Sequence, residues 1–163
     1  MNVIWGSERE PDLNRALAEW AAMRIFGTPK AFGPCTTMGV FDGASLIGVM
    51  VYYNWEPEHG VIEISGAALH PRWLTKAVLR EMFSYPFDEL GCQSIVMRVS
   101  PKDRRLKRIL TAYDFQCFTL PRLRGRHEDE NVFILTDDAW RNNGFHHQHK
   151  VIGHGKEVGA QAA

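Results

Sequence analysis

Val61-Ile-Glu-Ile-Ser-Gly-Ala-Ala-Leu-His-Pro-Arg-Trp-Leu-Thr-Lys-Ala-Val78 is the stretch that decides the fold. Its first nine residues, Val61–Leu69, read as a buried strand, and Pro71 marks a turn into the first residues of a helix. Such a junction gathers free backbone N–H groups and the positive end of a helix dipole at one point, a ready seat for phosphate. Glu63 is the one carboxylate in the apolar run just upstream. An anion seat beside a lone acid suggests a phosphorylated cofactor handled near a proton acceptor.

Working outward, short strands are expected at Asn2–Trp5, Thr36–Phe41 and Ala44–Trp55, with Asp42-Gly43 as the hairpin turn between the last two. Pro11 opens a helix with Asp12 in its first turn, closed by Gly27 and Pro29. Residues 73–90 follow helical spacing through Leu74, Val78, Leu79, Met82 and Phe83, with Pro86 bending the end. Ser94–Val99 is a short β-branched strand. Lys102–Tyr113 is an amphipathic helix with Leu106, Ile109, Leu110 and Tyr113 inward and bases outward. Strands at Gln116–Leu120 and Asn131–Thr136 flank an expected loop, Pro121–Glu130. The order β-α-β-β-β-α-β-α-β-β predicts a mixed α/β sheet with helices on both faces. One domain is expected over 1–140, followed by a flexible His- and Gly-rich tail over 141–163.

The totals narrow the functional classes. The 163 residues carry 19 basic and 19 acidic side chains, a net charge of zero, and are 45% hydrophobic. That describes a folded domain, not a disordered chain. No apolar run approaches the ~20 residues of a membrane span, and MNVIWGSERE lacks a signal peptide's basic start, so a cytoplasmic location and no membrane partner are expected. Cys35, Cys92 and Cys117 have no CxxC spacing and imply neither disulfide framework nor zinc. His146, His147, His149 and His154 lack an accompanying Cys or ordered carboxylate, so no metal is expected. Between Arg98 and Arg126, nine bases face only Asp103 and Asp114, which points to an anionic partner: cofactor phosphate, nucleic acid or acidic protein.

Three motifs, with the element order, resemble the GNAT N-acetyltransferase superfamily over residues 1–138. Glu63-Ile-Ser-Gly-Ala-Ala-Leu69 looks like the strand that carries a general-base Glu in many members. Arg72-Trp-Leu-Thr75-Lys-Ala77, after His70-Pro71, is similar to the family's cofactor loop, with Thr75 in place of the central Gly. Ser100-Pro-Lys-Asp103 through Asp114-Phe115 looks like the helix that follows, with Asp103 where Asn is usual.

The resemblance implies a GNAT-like, mostly antiparallel sheet of six or seven strands and an N-acyltransferase using acetyl-CoA without metal. It places backbone groups of Ala67, Ala68 and Leu69 on the pantetheine arm, and Arg72, Thr75, Lys76, Ala77 and Asp103 around the cofactor. The family's general-acid Tyr falls at Leu110, so Tyr113, one helical step away, is the expected acid partner of Glu63. Tyr53 and Trp55, on one strand face, and Arg122 and Arg124, in the 121–130 loop, are expected at the pocket of an anionic amine acceptor. Two readings compete with Glu63 as base and with the loop arginines as acceptor ligands. Glu63 can pair with Arg98 on the neighbouring strand, and His127-Glu-Asp-Glu130 can take the arginines internally. Two functional alternatives remain: a GNAT-fold binding or assembly protein that has lost the chemistry, as among bacteriophage products, and a nucleic-acid-directed modifier using Lys102–Arg126. A monomer or homodimer is expected.

Overall fold

The computed structural model describes residues 1–143. The expected His-rich tail, with His146, His147, His149 and His154, lies outside them. Seven strands form one sheet in the order β1-β2-β3-β4-β5-β7-β6. They are β1 (Asn2–Gly6), β2 (Cys35–Asp42), β3 (Ser45–Glu56), β4 (Val61–Ala68), β5 (Ser94–Val99), β6 (Gln116–Gly125) and β7 (Glu128–Thr136). All neighbours are antiparallel except β4 and β5. Four α-helices accompany them: α1 (Pro11–Phe26), α2 (Lys76–Ser84), α3 (Arg104–Ala112) and α4 (Asp137–Asn142). This is the mixed, mostly antiparallel sheet expected from the sequence. No helix among the described residues is long and apolar enough to cross a membrane.

Strand alternation divides the interior in two. Met50, Tyr52, Ile62, Ile64, Ile95, Met97, Phe133 and Leu135 face α2, α3 and α4 in one large cluster. Val49 and Val51 face Leu17 and Ala21 of α1 in a smaller one, with Tyr53 at its margin. Helix α1 packs over β1 to β4. The same face of β5, β7 and β6 is left more open: Val96, Val132 and Ile134 are half-buried, and Phe118 and Leu120 are 49% and 41% exposed.

Two local expectations are corrected, and one helix had no expectation. Residues 73–90 are not one helix. Pro71–Trp73 forms a 3-10 turn, Thr75 is extended, α2 starts at Lys76, and Tyr85–Glu89 makes a π turn containing Pro86, whose ring offers no N–H to an α ladder. Pro121–Glu130 is not a loop either. Strands β6 and β7 run on as a ribbon to the pair Gly125↔Glu128, absorbing Pro121 and the positive φ of Arg122 (60°) in a register shift. Helix α4 was not expected; Thr136 caps it by accepting from Ala139 N–H, and Trp140 is its buried anchor.

Candidate functional site

The parallel pairing of β4 and β5 stops early. It covers Val61↔Ser94, Ile62↔Ile95 and Glu63↔Val96, while β4 continues to Ala68 and β5 to Val99. Beyond Glu63 the strands part and leave a wedge in the sheet. Leu69 N–H donates to Ile47 C=O at 2.8 Å, and the β3–β4 register continues from there without a shift to Tyr53↔Glu63. Antiparallel alternation therefore aims the backbone of Ser65, Ala67 and Leu69 at β3, and that of Ile64, Gly66 and Ala68 into the wedge. Of the three residues expected to offer backbone groups to a cofactor arm, Ala68 turns its own into the wedge. Ala67 and Leu69 direct theirs at β3, and Gly66, like Ala68, faces the wedge.

Behind the wedge, on the α2–α3 side, lies a cavity of about 360 Å³, within the size range of ligand pockets. Ile64, Gly66 and Met97 form its sheet wall, and Trp73, Phe83 and Leu110 are among the side chains opposite. A Cβ on Gly66 would come within 2.8 Å of Met50 Cε, so glycine keeps room for that methionine beside the cavity. Trp73 is held still more tightly: its ring would stand 2.3 Å from a Cβ on Gly48.

The turn from β4 to α2 uses Thr75 as a cap. Its Oγ1 accepts from Val78 N–H at 3.2 Å, so the hydroxyl that replaces a glycine in the motif satisfies its own helix. Lys76 and Ala77 are the first two helical residues, and exposed Arg72 lies in the 3-10 turn just before. Asp103 caps α3 in the same way, accepting from Leu106 N–H. Next to it Arg104, Arg105, Lys107 and Arg108 line an open depression on α3.

On the other side of the sheet Glu63 heads a short polar chain. Tyr53 Oη donates to Glu63 Oε1 at 2.8 Å, and Asn54 Nδ2 donates to Oε2 at 3.0 Å. Tyr53 Oη also lies 2.9 Å from Ser65 Oγ; its one proton is committed to Glu63, so Ser65 is the donor there. Burial pushes the Tyr53 phenol well up, the Ser65 bond lowers it and Glu63 raises it again, which keeps Tyr53 a donor. Ser65 and Asn54 were missed by sequence reasoning. Ser65 shares Glu63's face by the period of two, and Asn54 reaches the carboxylate because a bulge puts it at φ 49°.

That bulge also separates Trp55 from Tyr53. Tyr53 meets the tilted ring of Phe32 at 5.0 Å on the α1 side, whereas Trp55, 48% exposed, bonds Cys92 of the opposite cluster. Tyr113 is likewise not beside Glu63. It packs on Phe83 and bonds Trp140 in the α2–α3 cluster, where burial raises its phenol to about 12. Glu63 and Tyr113 stand on opposite faces.

Arg124 is engaged internally. Glu130, 2% exposed, takes Arg124 Nη1 at 2.8 Å on one oxygen and Arg98 Nη2 at 3.1 Å on the other. Arg98 thus pairs with Glu130, and among the described residues no cation lies within ion-pair distance of Glu63. Arg122 is exposed, its N–H bonded to Asp129 Oδ1. No group of metal-ligating side chains is found among the described residues.

No family model matches the chain, and no curated protein does. Solved structures do match. A GCN5-related N-acetyltransferase from Brucella melitensis superposes with a TM-score of 0.62 at 19% identity, over 91% of this chain and 81% of that one. Mutant forms of the spermidine/spermine N-acetyltransferase SpeG from Vibrio cholerae give 0.66 at 12%, over 86% and 98%. The fold is that of the GNAT N-acetyltransferases.

Proposed function

We propose that a protein with this fold and this wedge is an N-acetyltransferase that takes acetyl-CoA on the α2–α3 side of the sheet and an amine on the α1 side. The observation that carries the reading is the end of β4–β5 pairing at Glu63↔Val96. It opens a passage through the sheet, with an apolar cavity on one side and a hydrogen-bonded carboxylate on the other.

The residues fit the donor. Backbone groups of Gly66 and Ala68 face the wedge and suit an amide-bearing arm, and the cavity takes its apolar parts. The start of α2 at Lys76 and Ala77, with Arg72, suits the diphosphate. Bound there, acetyl-CoA supplies an activated acyl group. Glu63 then takes a proton from the amine, directly or through one water. Tyr53 and Asn54 hold the carboxylate in place while it does so, and wedge-facing N–H groups steady the negative charge that develops on the acyl oxygen.

Isothermal titration with acetyl-CoA tests the reading. One site of micromolar affinity is expected; absence of binding at millimolar concentration would remove it.

A further inference from the structure

Resting on that reading, we infer that the acceptor is a primary monoamine with an apolar body, its ammonium at Glu63 and its chain over the open half of the sheet. The register carries the inference. Across the sheet from Glu63 come Val96 and then Ile134, and one step along the strands lie Val132 and Phe118. Strand alternation puts all four on Glu63's face. Three strand spacings, about 14 Å, separate β4 from β6. The floor is thus a strip of half-buried aliphatic side chains reaching an exposed phenylalanine, with Gln116 beside Ile134 and Arg98 beside Val132 at its edges.

Charge fixes the head group. Among the described residues Glu63 is bonded to two neutral donors, Tyr53 and Asn54, which leaves a carboxylate to meet a cation. The floor has no second such group. Glu130 sits between Arg98 and Arg124, and Arg98 itself, 45% exposed, borders the strip, so a second ammonium would meet a guanidinium. Glu56 lies the other way, at the β3–β4 end, bonded to His59. The apolar strip therefore excludes the polyamine that the SpeG likeness would suggest.

The transfer balances simply. The amine enters as RNH3+, and the amide C–N bond forms as the thioester C–S bond breaks. One proton goes to Glu63, and the nitrogen's other departing proton leaves with the sulfur as the thiol.

Octylamine and spermidine, nearly equal in length, provide the test, with acetyl-CoA as donor and thiol release as readout. Octylamine should have at least a tenfold higher kcat/KM, since several methylenes are removed from water. Phe118→Asp should lower the octylamine value about fivefold with acetyl-CoA affinity unchanged. Spermidine equal to or better than octylamine would overturn the inference, and so would binding of acetyl-CoA with neither amine acetylated. A dimer in light scattering that Phe118→Asp dissolves, with octylamine turnover untouched, would assign the strip to a second copy of the chain instead. Failure to bind acetyl-CoA at all would strike the proposed function itself.

Discussion

The two faces of the sheet are built to different standards. On the α2–α3 face nearly every inward side chain is buried, aromatic rings stack on one another, and a cavity at the wedge lies between the sheet and the helices. On the α1 face the helix covers four strands, and the other three keep a half-open surface where aliphatic side chains adjoin the Arg98–Glu130–Arg124 ion pairs. The first face supplies stability and a shaped slot. The second supplies access. The proposed passage of an acyl group through the sheet needs one of each, because the donor must be gripped and the acceptor must come and go.

Glu63→Gln attacks the open face and should have the largest effect. Glutamine keeps the bulk and one acceptor oxygen but cannot take a proton, so turnover should fall at least ~100-fold. Acetyl-CoA affinity should stay within twofold, because the proposed donor site lies on the other face. Steady-state kinetics and calorimetry on one preparation separate the two; equal losses in both would mean that Glu63 shapes the wedge instead.

Arg124→Ala tests what holds the open half flat. Glu130, itself buried, would lose one of two guanidinium partners, at a cost of about 2 kcal/mol. For a domain of this size that is a fall of roughly 4–8 °C in melting temperature. If Arg124 served the acceptor instead, the melting temperature would stay put and KM would rise.

Gly66→Val narrows the slot from the packed side. Met50 Cε is the flexible end of its side chain, so it can yield, but it yields toward the cavity. Acetyl-CoA affinity should drop about tenfold, or ~1.4 kcal/mol, with little change in folding. Unchanged affinity would show that the donor does not use this cavity.

Much of the architecture was legible because its signals are local. The Val61–Leu69 strand, the Pro11 helix start and the amphipathic pattern of α3 each follow from spacing alone. The hairpin ahead of Ser45 was legible too, although its turn residues are Gly43-Ala44, one place on from the expected Asp42-Gly43. Signals that depend on pairing were not legible. Pro121 and Gly125 look like loop residues until a neighbouring strand supplies the register that absorbs them. The same holds at the site. Glu63 stands out as the lone acid in a strand, but its partner Asn54 depends on a bulge between β3 and β4, which also sent Trp55 to the wrong face. Helical spacing put Tyr113 on the inward side of α3 correctly, yet could not say on which face of the sheet "inward" lies.

Tyr113→Phe is the smallest expected effect and the cleanest separator of the faces. Its hydroxyl is bonded to Trp140 inside the α2–α3 cluster, so no step on the α1 face reaches it. Turnover should stay within twofold, and loss of one hydrogen bond should cost about 1 kcal/mol of stability. There is also a pH signature. Burial lifts the folded phenol to about 12, whereas an unfolded tyrosine ionises near 10. The native chain keeps a proton that the unfolded one releases, so this contribution is whole below pH 10 and is lost as the pH climbs toward 12. Phenylalanine cannot titrate, so urea unfolding of the variant should weaken less than wild type between pH 9.5 and ~11.5. A hundredfold loss of turnover in a folded Tyr113→Phe protein would instead bring the hydroxyl to the wedge, and the separation of donor and acceptor faces would have to be redrawn around it.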